Sequence, residues 1–473
     1  MEKKNIVFKS ISILYILISV VFFVVLAKFN MLPVKYISLI GVGLICICAI
    51  AFLILFVLKK KVALKIITSI VLLCFVVIYI YGINYIYSTM NFIKDVTAKV
   101  EETEEYYIVT LNDSGYDTIN SIDGKIIYTF MADEDYTDIK EEIVNISNVV
   151  FKDTTGIKEL GQGILNNNYD VILISNSQYE MLCDEFVDFE TKVKKVHTLI
   201  HKFKKIEEIK EETTDYTIES GIFNVYISGI DTAGDISTVA RSDANIVVTV
   251  NTKTHEILLT SIPRDYYVEL HSKGKKDKLT HSGVYGIKET YTTVEDLLNI
   301  DINYYVRVNF TTLEKIVDAL GGIEVESEYA FTTAGYTFKK GKNTLNGAKA
   351  LAFSRERYSF ASGDRQRIKN QQAVIKGILN KVMTSETRLT KYTKLLKSLS
   401  NSFQTNIETE EINNLVKSQM LNMDSWNIST NSLNGSGASK TTYTYGYEKL
   451  YVMIPYEDSV SSAITKINEV LGK

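Results

Sequence analysis

Residues Arg241–Asp265 read RSDANIVVTVNTKTHEILLTSIPRD. Within them Ile246–Asn251 and Glu256–Ser261 are rich in β-branched and apolar residues, and Thr252-Lys253-Thr254 between them suits a hairpin turn. A charged motif stands just before the first strand and another just after the second. Working outward, strand and helix signals alternate. Phe223–Ser228 reads as a strand upstream. Downstream, Val294–Asn299 ends a helix, Tyr304–Val308 is a strand, and Thr311–Leu320 is an amphipathic helix stopped by Gly321-Gly322. Ile323–Glu326 is the next strand, and a long helix runs from about Asp364 to Met383. This alternation predicts an α/β fold, a mixed central sheet with helices on both faces, over residues 216–473 with its motif core at 223–383. Lys391–Lys473 is assigned as the tail of that module.

A smaller α/β accessory domain with its linkers is predicted over residues 94–215. Lys94 to about Glu105 is charged and helix-prone, a spacer. Tyr106–Leu111 reads as a strand, Tyr136–Asn148 as a helix, Val171–Ile174 as a buried strand, and Asp188–Ile209 as a long charged helix. That helix would carry His197 and His201 on its surface. Gly161-Gln162-Gly163 lacks the third glycine and preceding strand of a dinucleotide loop. No catalytic constellation is visible here, so a structural or partner-binding role is expected.

Residues 1–93 are of a different kind. Ser10–Ala27, Tyr36–Leu58 and Ile66–Ile93 contain no charged residue, and each is long enough to cross about 30 Å of hydrocarbon as a helix. Lys3, Lys4 and Lys9 precede or flank the first, and Lys59, Lys60, Lys61 and Lys65 fill the second link, whereas the first link has only Lys28 and Lys35. The positive-inside bias places the N-terminus in the cytoplasm and, after three crossings, everything beyond about Asn91 outside the cell. Tyr79, Tyr81, Tyr85 and Tyr87 suit an interfacial aromatic belt. Cys46, Cys48 and Cys74 lie in the membrane segments, which leaves Cys183 no soluble intrachain partner.

With 46% hydrophobic residues and 4 cysteines, the chain is neither disordered nor a disulfide scaffold. Its formal charge of −4 divides into about +8 before residue 94 and about −12 after it, which excludes a nucleic-acid-coating surface. Of 52 basic residues, the arginines are Arg241, Arg264, Arg307, Arg355, Arg357, Arg365, Arg367 and Arg388, all in the second module. Lysine serves wherever a solvated charge suffices. Arginine offers a rigid fork of donors for bidentate contact with phosphate oxygens. Arg307 and Arg388 read as partners of surface carboxylates. The other six fall in short motifs and predict an oxyanion site, in the loops at strand ends where open α/β sheets bind ligands. Arg355 and Arg357, two apart, share a face if extended; Arg367 and Gln371, four apart, share a helix face. Asp364 reads equally as a helix cap.

Asp231 follows the Phe223–Ser228 strand and Asp243 precedes the Ile246 strand. If these strands are neighbours, the two carboxylates converge, and two carboxylates with phosphate oxygens and water suit magnesium. No phosphate-cradling glycine loop of the ATP-binding kind occurs. Outside the cell, a lipid-carried pyrophosphate is the fitting ligand.

The motifs resemble those of the LytR–CpsA–Psr family, found mainly in Gram-positive bacteria. They are GID and RSD at the ends of Gly229–Asp243, SIPRD at Ser261–Asp265, TVEDLLNIDINYYVRVNF at Thr293–Phe310, IVDALGGIEV at Ile316–Val325, GKNTLNGAKALAFSRER at Gly341–Arg357, and GDRQRIKNQQ at Gly363–Gln372. Three membrane segments followed by an accessory module are similar to the capsule-type members. The resemblance implies transfer of a capsular or teichoic-acid-like glycan from undecaprenyl diphosphate onto peptidoglycan, with magnesium or manganese. It implies Asp231 and Asp243 as metal ligands, and Arg241, Arg264, Arg355, Arg357, Arg367 and Gln371 on the diphosphate. Lys278, in a loose version of a family Lys-Ile-Asn stretch, ranks second. Family members often carry arginine where Asn370 stands.

In the expected reaction an acceptor hydroxyl attacks phosphorus and undecaprenyl phosphate leaves, with Arg241 and Arg264 stabilising charge and Asp243 or Asp364 as the base. The Ile316–Leu320 and Val374–Leu379 stripes either line a prenyl pocket or are core. Two other readings stand: hydrolysis of the polyprenyl diphosphate, and a non-enzymatic membrane regulator. Partners are the lipid-linked glycan, peptidoglycan, the membrane and other capsule- or wall-synthesis proteins, with no nucleic acid.

Overall fold

A computed structural model describes residues 2–58, 61–97, 102–130, 137–202, 217–230, 236–384, 403–422 and 425–473. Its contacts divide the chain into two units. One holds the apolar helices Glu2–Lys28, Val34–Phe52 and Val62–Val96, together with the helix Thr409–Asn422. All three apolar helices are long and apolar enough to cross a membrane. They pack through Tyr15, Leu44, Leu55, Leu72 and Tyr79. The Tyr15 and Tyr79 hydroxyls lie 2.7 Å apart, and Tyr79 stacks on Phe22 with ring centroids 4.6 Å apart. Tyr79 therefore serves helix packing rather than a belt, while Tyr81 and Tyr87 are exposed as a belt requires. The Thr409–Asn422 helix belongs to this unit, although the sequence assigned it to the tail of the second module.

The other unit begins with a five-stranded sheet of order β3-β2-β4-β1-β5, built from β1 (Thr103–Leu111), β2 (Ile126–Thr129), β3 (Val150–Asp153), β4 (Val171–Ser175) and β5 (Val193–Lys202). The strand thus starts at Thr103, inside the stretch expected to be a spacer. Helices Thr137–Ile146, Ile157–Leu165 and Asn176–Glu185 pack on it. Gly161 and Gly163 lie within the Ile157–Leu165 helix because neighbours crowd them: a Cβ on Gly163 would stand 2.1 Å from the Tyr169 ring. The long helix expected from Asp188 is instead a short turn, Phe189–Lys192, followed by β5, which pairs antiparallel along β1 from Leu111↔Val193 to Thr103↔Lys202. Val193, Val196, Thr198 and Ile200 are β-branched, and the open edge of β1 supplies backbone partners that local helix propensity cannot outweigh. The lysines that suggested a solvated helix face sit on an edge strand, where charge also deters further pairing. His197 and His201 accordingly lie on a strand; residues 203–209 fall outside the described residues.

The central sheet is built from β6 (Ile222–Ile230), β7 (Ser242–Asn251) and β8 (Glu256–Ile262), an antiparallel meander. A hairpin, β9 (Tyr267–Leu270) and β10 (Lys275–Lys278), follows. β11 (Tyr304–Asn309) joins β6 in parallel. β12 (Ile323–Ser327) does not join this sheet. Across a small hairpin of β13 (Phe331–Thr333) and β14 (Tyr336–Phe338), it pairs with β15 (Gly341–Leu345). β16 (Phe403–Thr405) closes one edge against β11, and β17 (Asn427–Ser432) closes the other in parallel with β8. β18 (Gly435–Thr442) and β19 (Gly446–Pro455) form a final hairpin. The sheet order is β16-β11-β6-β7-β8-β17, a mixed sheet in an α/β fold.

Helices Ile287–Leu298 and Glu457–Leu471 share one apolar cluster with Tyr226, Val247 and Leu258 of the sheet. The Asp364–Thr384 helix packs on β8 and β17, where the Gln372 side chain donates to the Asn431 carbonyl at 2.5 Å. Arg307, expected to meet a surface carboxylate, is 1% exposed and pairs with Glu102 at 2.9 Å. Arg388 lies outside the described residues.

Candidate functional site

The antiparallel register sets the site. Asn245 pairs with Ile262 and Ile230 with Ser242, so the chain leaves β6, enters β7 and leaves β8 at one end of the sheet. That end carries Arg241-Ser242-Asp243 and Pro263-Arg264-Asp265. Asp231 would follow Ile230 there, but it lies outside the described residues. Asp243 Oδ2 receives Arg264 Nη1 at 2.6 Å, and its Oδ1 accepts from the Thr280 hydroxyl at 2.8 Å. Lys278 Nζ stands 3.0 Å from Asp265 Oδ1.

The turn carrying Lys278 and Thr280 is held by backbone bonds. Leu279 N donates to the Tyr266 carbonyl and Thr280 N to the Arg264 carbonyl, each at 2.8 Å. The buried Asp277–His281 contact of 2.6 Å ties the same turn. Gly283 lets it approach the Ala240–Ser242 backbone: a Cβ there would lie 2.5 Å from the Ala240 carbonyl oxygen and 2.6 Å from Ser242 N.

Asp364 opens the long helix inside its first turn, where a carboxylate also suits the helix dipole, and it pairs with Arg367 one turn on. Arg367 reaches the field of Asp243, Arg264 and Arg357. Burial pushes the Asp243 carboxyl up, but Arg264, Arg241, Arg367 and the Thr280 hydroxyl outweigh it and hold it below the usual carboxylate range. Burial dominates at Asp364 and holds that carboxyl above its usual range despite Arg367. Two carboxyls in one site are driven in opposite directions, the pattern of a division between a fixed charge and a proton acceptor.

The Nε donors of Arg241, Arg264 and Arg367, and Oδ1 of Asp364, are buried and have no hydrogen-bond partner among the described residues. Asp364 Oδ1 still touches Arg367, as an ion pair without hydrogen-bond geometry. Buried donors are normally satisfied. Arg241 Nε and Arg264 Nε each face a carboxylate, of Glu180 and Asp265, at 3.9 Å, beyond hydrogen-bond reach, so all three donors stay open to an oxyanion ligand. Hard carboxylate oxygens suit a divalent cation of the magnesium type. No three acidic or histidine side chains among the described residues are close enough to hold one, so Asp243 would need Asp231, phosphate oxygens or water beside it.

Not every sequence candidate joins this set. Arg355 ends the Gly347–Arg355 helix and is exposed, so the extended segment expected to align it with Arg357 does not exist. Arg357 lies within reach of Arg367 but turns its fork to the Tyr358 hydroxyl at 2.5 Å. Arg365 points elsewhere and donates to the Gly435 carbonyl at 3.0 Å. Gln371 is half-buried on the helix face of Arg367, one turn later. Asn370 is buried and donates to the Phe353 carbonyl at 3.1 Å, which closes packing rather than facing a ligand. The Ile316–Leu320 and Val374–Leu379 stripes meet in one cluster around Phe331, Phe338 and Phe353 and are core. The sequence pattern did not single out Asp265, although it ends the SIPRD motif, or Thr280, two residues after Lys278. It also missed the accessory domain's Asp184, which pairs with Arg241 at 2.6 Å.

Residues 185–454 match the LytR_cpsA_psr family. The chain belongs to the LytR–CpsA–Psr family. Among its relatives, the polyisoprenyl-teichoic acid–peptidoglycan teichoic acid transferase TagU of Bacillus licheniformis is 38% identical over 222 residues, 46% of this chain and 70% of that protein. TagU of Bacillus subtilis is 39% identical over 217 residues, 46% of this chain and 68% of that protein. The crystal structure of B. subtilis TagU shares 34% identity, covers 53% of this chain and 97% of that one, and superposes with a TM-score of 0.42. The LytR–CpsA–Psr match includes all the arginines and carboxylates gathered above except Asp184, and leaves out the apolar helices.

Proposed function

We propose that this protein is a transferase that moves a glycopolymer from a polyisoprenyl diphosphate carrier to peptidoglycan. The observation that carries the reading is the set of unsatisfied guanidinium donors of Arg241, Arg264 and Arg367 beside Asp243 and Asp364. The names of the TagU relatives supply the substrate class. The lysine bias of the first 93 residues supports a soluble part outside the membrane, facing the wall.

In the reaction the acceptor sugar hydroxyl attacks the polymer-proximal phosphorus. A new phosphorus–oxygen bond forms to the acceptor, the bond to the bridging oxygen breaks, and polyprenyl phosphate leaves. Asp364, whose carboxyl sits above its usual range, takes the hydroxyl proton. Asp243 stays charged and holds Arg264 in place. Arg241, Arg264 and Arg367 offer their donors to the phosphate oxygens as charge develops. Asp231 and Asp243 would hold a magnesium ion, which supplies charge neutralisation on the phosphates.

Purified full-length protein, incubated with a polyprenyl diphosphate-linked glycan, peptidoglycan oligomers and magnesium, tests this. Joined glycan–peptidoglycan product and polyprenyl phosphate are expected together. Equal release of lipid phosphate and unlinked glycan without peptidoglycan would mean hydrolysis. Unchanged polymer attachment in cells carrying Arg264→Ala would mean a regulator.

A further inference from the structure

The accessory domain reaches into the site just described. Its Asn176–Glu185 helix places Glu180 and Asp184 four residues apart, on one face. Asp184 Oδ2 lies 2.6 Å from Arg241 Nη1, and Glu180 Oε2 lies 3.9 Å from Arg241 Nε. Arg241 itself is 7% exposed, and its field acts on Asp243. The helix is tied at both ends: Ser175 caps its start, and Glu185 at its end pairs at 2.6 Å with Lys158 of the Ile157–Leu165 helix, which also stands 3.4 Å from Glu448.

The long side chain of Arg241 has many rotamers, and ordering it in one of them costs entropy. A carboxylate on one arm of the fork removes that freedom, while Arg241 Nε keeps no hydrogen bond of its own. We propose that Asp184, with Glu180 behind it, is a positioning residue that holds Arg241 for a diphosphate oxygen. The accessory domain is then part of the donor site. This rests on the diphosphate reading above. Asp184 is 63% exposed at its side chain, so its replacement leaves the core intact.

The test uses full-length protein in detergent, with farnesyl diphosphate and magnesium as the calorimetric probe and the transfer assay alongside. Asp184→Asn keeps the shape and loses the charge. It is expected to weaken farnesyl diphosphate binding by about five- to tenfold. KM for the lipid-linked donor should rise in parallel, with kcat within about twofold. Asp184→Glu should recover most of the affinity, and Asp188→Asn, on the same domain, should bind as the native protein does. Unchanged binding by Asp184→Asn overturns the positioning role. Tighter binding also overturns it, because Asp184 would then be a competitor of the diphosphate. Native protein that fails to bind the probe overturns the diphosphate reading itself, whatever the variants do.

Discussion

Replacing Arg264 would separate the two duties proposed for it, holding Asp243 charged and meeting charge on the phosphates. Its Nη1 is 2.6 Å from Asp243 Oδ2, and the two side chains are 17% and 11% exposed. A preorganised donor at a developing oxyanion is commonly worth 10²–10³ in rate, so Arg264→Ala should lower kcat by roughly that factor. Breaking a buried pair by removing one partner costs about 3–5 kcal/mol. Arg241 and Arg367 still face Asp243, so the loss of stability here should be nearer ~2 kcal/mol. The pH dependence gives the sharper signature. In the native protein burial raises the Asp243 carboxyl and three guanidiniums over-compensate. With one of them gone, that carboxyl moves up. Activity that needs Asp243 ionised is then lost at a higher pH as the solution is acidified. Stability follows the same sign: a depressed carboxyl stabilises above its unfolded value and loses that contribution as pH falls through its folded value. In the variant the loss comes earlier. Arg264→Lys keeps a charge without the fork, and should fall between native and alanine in both rate and acid limb. Rates of transfer by full-length protein from about pH 3 to about pH 7, with melting curves at each point, decide it. An acid limb that stays in place while kcat falls would mean that Arg264 does not set the charge of Asp243.

Gly283→Ala should lower transfer and destabilise by about 1–3 kcal/mol, because the added carbon meets backbone at Ala240 and Ser242 that has nowhere to move; native-like rate and melting would show that the turn under Thr280 can shift freely. Glu104, 4% exposed in β1, has its carboxyl pushed up to about 7 by burial. Its contribution to stability is full below the unfolded value of about 4.3 and is lost as pH rises through about 7, up to roughly 3 kcal/mol. Glu104→Gln should remove that slope, and unfolding curves at about pH 5 and about pH 8 that keep it would refute the assignment.

Strands bearing strong β-branched patterns were legible. β7 and β8 fall within a few residues of Ile246–Asn251 and Glu256–Ser261, and their turn is where Thr252-Lys253-Thr254 put it. Where partners decide, pattern failed. β17, Asn427–Ser432, is nearly all Asn, Ser and Thr and becomes a strand because β8 offers an edge. β5 reads as a charged helix until β1 is known to lack a partner. Helix phase was the limit at the site. Asp364 and Arg367, three apart, meet on one face, whereas Arg365, one residue from Asp364, is turned to the Gly435 carbonyl. A count of clustered arginines cannot tell these apart. Asp184 left no trace, because an acidic residue on an amphipathic helix of a domain without recognisable chemistry looks like solvated surface.

Charge balance explains why such a site would need a metal as well as arginines. Arg241, Arg264, Arg367 and Lys278 bring four positive groups, and each already faces a carboxylate, from Asp184, Asp243, Asp364 or Asp265. A diphosphate diester adds two negative charges to a cluster that is close to neutral without it. The arginines can contribute direction, since their Nε donors make no hydrogen bond, but little net attraction. On the proposed reading a divalent cation would restore the balance, and phosphate oxygens would supply the ligands that the described carboxylates alone do not complete. The raised carboxyl of Asp364 fits the same account. In a cluster this crowded with carboxylates, the one that burial disfavours most is the one able to accept a proton when the acceptor hydroxyl gives it up.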